Sequence, residues 1–150
     1  MFVLFLCGAP WPFSDEPVDL SVAGATVTKS FTAPVDISYA LAVTFEFPSV
    51  EARLNDQIVG DRFSEDCLGN VRFGASRYEE IQEIKRIGLG LPIPFKVVIR
   101  KLTDRSVIVD QTFQSLCISS SNGESEKTRD IAWLQLPIGD NLVEVTSVQV

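Results

Sequence analysis

The strongest pattern in the chain runs through residues 35–47. Val35, Ile37, Tyr39, Leu41, Val43, Phe45 and Phe47 share one parity, and Asp36, Ser38, Ala40, Ala42, Thr44 and Glu46 share the other. Successive side chains of a strand point to opposite faces, so this spacing predicts a long strand with one buried and one wetter face. Pro48 and Ser49 close it. Upstream, Val18, Leu20 and Val22 alternate in the same way, Gly24 interrupts, and Val27 and Phe31 resume before Ala33 and Pro34 turn the chain. Two short strands separated by a glycine predict either an edge strand with a bulge or a switch between sheets.

Downstream, the β-rich runs 95–102 and 106–113 flank Thr103, Asp104 and Arg105, which reads as a hairpin. Residues 119–127 form a polar loop, and the runs 130–136 and 141–150 bracket a turn at 137–140. Residues 49–75 are rich in acids and glycine and read mostly as loop, with Leu54, Ile58 and Val59 contributing a turn of helix. One helix is predicted over about 76–87. Ser76 and Glu79 have capping-box spacing, Tyr78, Ile81, Ile84 and Ile87 form a stripe, Lys85 and Arg86 suit the last turn, and Gly88 is a stop.

About seven strands with one short inserted helix make a mainly-β chain, an antiparallel β-sandwich of the immunoglobulin-like kind. Consecutive hairpins argue against a parallel α/β sheet, which needs a helix after nearly every strand. Residues 17–150 read as one domain and residues 1–16 as an N-terminal leader or tether. The length of 150 residues suits a single domain, and 45% apolar against 22% charged residues suits a packed core.

The formal charge of −7 repels phosphate backbones, so nucleic acid is not an expected partner. No run is long enough to cross a membrane as a helix. Residues 2–6 are apolar and end at Cys7, followed by a Pro-rich stretch carrying Trp11 and Phe13. This resembles the end of a bacterial lipoprotein signal, with Cys7 as the lipidated residue and the lipid as the sole link to a membrane. A periplasmic or outer-membrane location follows from it. The alternative makes Cys7 an ordinary member of an apolar N-terminal strand in a cytoplasmic protein. If Cys7 takes a lipid, Cys67 and Cys117 remain as a pair, either bridged or buried as two free thiols.

Catalytic and ligand-holding motifs are sparse. The sequence has no histidine, which removes Ser-His-Asp and Cys-His chemistry. It has no CxxC pair, and Gly88 and Gly90 follow the predicted helix instead of opening one, so they do not form a phosphate loop. No cofactor is implied. Asp56, Asp61, Glu65 and Asp66 are the dense acidic group, flanked by Arg53 and Arg62. They read as a solvated loop first, then as a calcium site or a pair of hydrolytic carboxylates. Trp11 and Phe13 sit between prolines, where an exposed pair can anchor a partner or fold back onto the sandwich.

Residues 17–49, followed by the run from Arg53 to Gly60, resemble a family of uncharacterised Gram-negative bacterial proteins, often lipoprotein-like. The resemblance implies a β-sandwich and an envelope location, and brings no reaction with it. Residues 134–145 also resemble the turn-and-strand ending of immunoglobulin-like domains. The expectation is a non-enzymatic envelope protein that binds another protein or an envelope component. An acidic immunity or inhibitor protein against a secreted toxin is the alternative, and a carboxylate-based hydrolase the third reading.

Overall fold

In the computed structural model, which describes residues 2–7, 13–20, 22–61, 78–116, 118–122 and 124–148, the alternating run becomes the middle strand of a five-stranded sheet. The strands are β1 (Phe2–Cys7), β2 (Phe13–Val18), β3 (Thr26–Ala33), β4 (Ile37–Glu46), β5 (Ile93–Lys101), β6 (Val107–Ser115), β7 (Ser120–Asn122), β8 (Glu126–Leu136) and β9 (Gly139–Ser147). They form two antiparallel sheets, ordered β2-β1-β4-β8-β7 and β3-β9-β5-β6. The mainly-β sandwich expected from the pattern is the fold observed.

The core follows from the parity of β4. Tyr39, Leu41, Val43 and Phe45 are buried against Phe95, Val97 and Ile99 of β5 and Val143 and Val145 of β9. Burying each side chain of this size contributes about 1.5–3 kcal/mol, so the sandwich is held chiefly from this layer. Tyr39 also satisfies its polar end, donating its hydroxyl to the Val35 carbonyl at 2.9 Å. The expected hairpin appears as β5 and β6, with Asp104 at the turn. Its Oδ1 accepts from the Ser106 amide at 2.9 Å and hydroxyl at 2.7 Å. Near Gly24, whose φ is +83, the chain passes from β2 in one sheet to β3 in the other. Residues 2–7 pair as β1 between β2 and β4, with Phe5 opposite Ala42 and Cys7 opposite Ala40.

A one-residue bulge in β8 decides what enters the interior at one end. Leu41 stands opposite Ala132 and Ala42 opposite Asp130, so Ile131 is the extra residue. Leu136, Leu134 and Ala132 are buried on even numbers, whereas Arg129 and Lys127 are buried on odd ones, opposite Val43 and Phe45. A bulge shifts the side-chain alternation by one, and here it turns two basic residues inward. The indole Nε1 of Trp133 donates to Asp130 Oδ2 at 3.2 Å. Residues three apart in a regular strand lie on opposite faces, so this bond also reports the bulge.

The predicted helix over 76–87 does not form. Tyr78–Glu80 and Glu83–Arg86 are two separate 3₁₀ turns, and Ile84 and Ile87 are 77% and 71% exposed. A spacing of three matches the 3.0-residue period of a 3₁₀ helix, which is rarely sustained beyond a turn. Ser76, the proposed cap, lies outside the described residues. The α-helix among the described residues is α1 (Val50–Asn55), capped by Ser49, whose Oγ accepts from the Ala52 amide at 3.0 Å.

Candidate functional site

Two basic side chains on β8 organise one end of the sandwich. Arg129 is fully buried, and among the described residues its guanidinium donates only to backbone carbonyls. Nε reaches Val59 at 3.1 Å, and Nη1 reaches Leu91 at 2.8 Å and Ser115 at 3.0 Å. Nη2 reaches Val59 at 2.6 Å, Ile58 at 2.8 Å and Leu89 at 3.3 Å. The turns at 56–60 and 88–91 belong to no sheet, so their carbonyls need donors from elsewhere. A planar fork with five N–H groups supplies them. Burial pulls the guanidinium down to about 10, opposed by the charge of Asp56, which leaves it protonated at neutral pH.

Lys127 is 1% exposed and less well served. Its ammonium donates to the Arg53 carbonyl at 3.3 Å, lies 4.0 Å from Asp56 Oδ2 and sits 5.2 Å from the Phe47 ring centre. Burial lowers its pKa, while the charges of Asp56 and Asp61 raise it and those of Arg53 and Arg129 add to the lowering. Asp56 in turn folds its own loop. Its Oδ2 accepts from the Val59 amide at 2.8 Å and the Gly60 amide at 3.3 Å, and Oδ1 from the Ile58 amide at 3.3 Å.

The two turns touch backbone to backbone. The Leu91 amide donates to the Ile58 carbonyl at 2.7 Å and the Asp61 amide to the Gly88 carbonyl at 3.0 Å. This approach is possible because Gly60 and Gly90 have φ of +78 and +76 and no side chain. A Cβ on Gly90 would collide with the Ile58 carbonyl and come within 2.5 Å of Arg129 Nη2.

Between these turns and the ends of β4, β5 and β9 lies a cavity of about 310 Å³. Leu20, Phe45, Phe47, Ile58, Val59, Leu91, Pro92, Ile93 and Pro94 line it, with Asp56 and Ser147 as its polar members. The rim is apolar too. Ile58 is 54% exposed and Leu91 49%, and Val148, 50% exposed, bonds through its amide to the Pro94 carbonyl. A concave, mostly apolar site with a few placed polar groups is the usual form of a small-molecule pocket. Arg129 is its frame, since it holds the carbonyls of Ile58, Val59 and Leu91.

Of the acidic residues singled out in the sequence, Asp56 lines this pocket, and Asp61 is exposed beside it with its amide bound to Gly88. Glu65, Asp66, Trp11, Cys67 and Cys117 lie outside the described residues. Cys7 and Phe13 are described through their backbone alone, opposite Ala40 and Leu6 respectively. Among the described residues no three acids or cysteines gather as a metal site. Sequence reasoning missed Lys127 and Arg129, because charged residues next to a polar loop read as solvated. The one available signal was the parity break between Trp133 and Leu134, both bulky and apolar.

The family model of DUF5625, a domain of unknown function, matches residues 15–150. No curated protein matches the chain. Among solved structures, the chain is similar to one described as the crystal structure of GEBA250068378 from Sulfurospirillum deleyianum. The two share 19% identity with a TM-score of 0.55, over 98% of this chain and 88% of that one. A likeness at that identity speaks to the fold alone.

Proposed function

The chain belongs to the DUF5625 family, a domain of unknown function, and from that premise we propose a non-catalytic binding domain that holds an apolar group of its ligand in the end pocket. The observation that carries this reading is the apolar cavity of about 310 Å³ whose lining includes the exposed Ile58 and Leu91. Its volume falls at the lower edge of the range for small-molecule sites, roughly 300–1,000 Å³. Exposed apolar side chains gathered at the mouth of a cavity favour a ligand that covers them. A frame of buried charge and glycine contacts keeps the pocket open before any ligand arrives, which lowers the ordering cost of binding.

Uptake of N-phenylnaphthylamine, a dye that brightens in apolar surroundings, tests the reading. The protein should take up the dye, and Leu91→Trp at the mouth and Ile58→Glu on the rim should each abolish uptake without loss of fold by circular dichroism. A protein that leaves the dye dark at saturating concentration has no such site.

The setting we propose is the bacterial envelope, on the lipoprotein-like run ending at Cys7. The pairing of residues 2–7 as β1 favours the other reading of that run. Intact mass of the protein from its own host separates them: a lipid increment on a chain beginning at Cys7 supports the envelope, and an unmodified chain removes it.

A further inference from the structure

The two polar members of the pocket lining differ in what they leave open. Ser147 is buried, with its amide and carbonyl bound to Ala25 and Gly24. Asp56 is the one charged residue among the described lining, and its side chain is 15% exposed. A carboxylate offers about four lone-pair sites on its two oxygens. Oδ2 is well used, by the Val59 amide at 2.8 Å and the Gly60 amide at 3.3 Å, with the Lys127 ammonium at 4.0 Å. Oδ1 accepts from the Ile58 amide alone among the described residues, and at 3.3 Å. One oxygen of this carboxylate therefore has acceptor capacity left, beside walls that are otherwise hydrocarbon.

That arrangement restricts the polar end of a ligand. A carboxylate placed against Oδ1 meets a like charge across low-dielectric walls, where the repulsion is strong. An ammonium is drawn by Asp56 but pushed by Lys127, 4.0 Å from Oδ2, and gives up its hydration for little return. An ether or ketone oxygen finds no free amide in the loop, because those of Ile58, Val59 and Gly60 are already given to Asp56. A hydroxyl carries no charge and brings the donor that Oδ1 lacks. Resting on the pocket reading above, we infer that the ligand is an uncharged amphiphile, a hydrocarbon body ending in a hydroxyl that donates to Asp56 Oδ1.

Displacement of N-phenylnaphthylamine from the full chain by four probes of similar length tests this: decanol, nonyl methyl ether, decanoate and decylammonium, each below its micelle concentration. Decanol should bind at least about tenfold more tightly than the ether, which has as many heavy atoms but can only accept, since an unmatched polar group in a site rejects the analogue lacking its partner. Decanol should also outbind both ions. Asp56→Asn keeps one acceptor oxygen and adds an N–H donor, so its preference for decanol over the ether should shrink to about threefold or less. Equal binding of decanol and the ether by the wild type, or tighter binding of either ion, overturns the inference and leaves the pocket standing. An undiminished alcohol preference in an Asp56→Asn protein that is folded by circular dichroism overturns the assignment to Asp56. Failure of the dye and all four probes to bind overturns the pocket itself.

Discussion

Arg129 donates twice to the single carbonyl oxygen of Val59, from Nε at 3.1 Å and from Nη2 at 2.6 Å. That contact joins a strand of the five-stranded sheet to the turn that walls the pocket. The bulge at Ile131 makes it possible, since a regular strand would turn residue 129 toward solvent. One inserted residue is thus linked to a buried charge, that charge to two turns without regular pairing, and the turns to a cavity.

Arg129→Met should therefore be among the most damaging single changes at this end. It removes the guanidinium donors from five carbonyls, those of Ile58, Val59, Leu89, Leu91 and Ser115, of which Ile58 keeps the Leu91 amide. The expected loss is about 3–5 kcal/mol, the scale for breaking a buried charged network. Arg129→Lys should recover little, because a point charge cannot span acceptors on two turns. Urea unfolding should show the midpoint falling with its slope unchanged, and the variant should lose uptake of the apolar dye.

Lys127→Met should behave differently. Removing an under-partnered buried ammonium should change stability at neutral pH by less than about 1 kcal/mol in either direction. The pH dependence carries the sharper test. Burial lowers the folded-state pKa of Lys127 below the ordinary 10.5. Between that lowered value and 10.5 the unfolded chain binds more protons than the folded one, so stability rises with pH across the window. The gain is complete above 10.5 and absent below the folded-state value. Wild type should gain on Lys127→Met as pH climbs toward 10.5, in parallel urea titrations; a constant difference would show that the folded pKa is not lowered.

The sequence made the core legible and left the pocket mostly hidden, for a physical reason. Alternation in β4 is a signal of burial on one face, and the register of Tyr39, Leu41, Val43 and Phe45 followed from it directly. The run of charge from Glu126 to Asp130 carries no such signal, because its burial depends on a bulge and on carbonyls contributed from residues 58–91. Asp56 was noticed for its charge, yet its work in the fold is to gather three amides of its own loop. Gly90 was visible as the end of a helix that turned out to be two 3₁₀ turns, and its close approach to Arg129 was not readable from one dimension.

Gly90→Ala should cost about 3 kcal/mol or more, combining a left-handed backbone with a collision against backbone atoms that cannot rotate away. A Cβ at this position would stand 2.7 Å from the Val59 carbonyl carbon and 2.5 Å from Arg129 Nη2. Gly24→Ala makes the control, since its φ is +83 but nothing lies within 4 Å. That variant should lose about 1 kcal/mol, from the backbone conformation alone. Thermal unfolding of the two side by side separates crowding from φ, and equal losses would mean that the two turns are not packed as described.

Asp56 has two separable roles, as acceptor for its own loop and as counter-charge to Lys127. Its carboxylate accepts from the amides of Ile58, Val59 and Gly60 and faces the Lys127 ammonium at 4.0 Å. Asp56→Asn keeps one acceptor oxygen for the Val59 amide and removes the negative charge, whereas Asp56→Ala removes both. The alanine variant should lose about 1–3 kcal/mol, because the loop amides then depend on whatever water can reach them. The asparagine variant should lose less and leave Lys127 with the more distant charge of Asp61 among the described residues. Urea midpoints should therefore fall in the order wild type, Asp56→Asn, Asp56→Ala. Equal midpoints for the two variants would mean that the charge facing Lys127, and not the acceptor for the Val59 amide, is what Asp56 contributes.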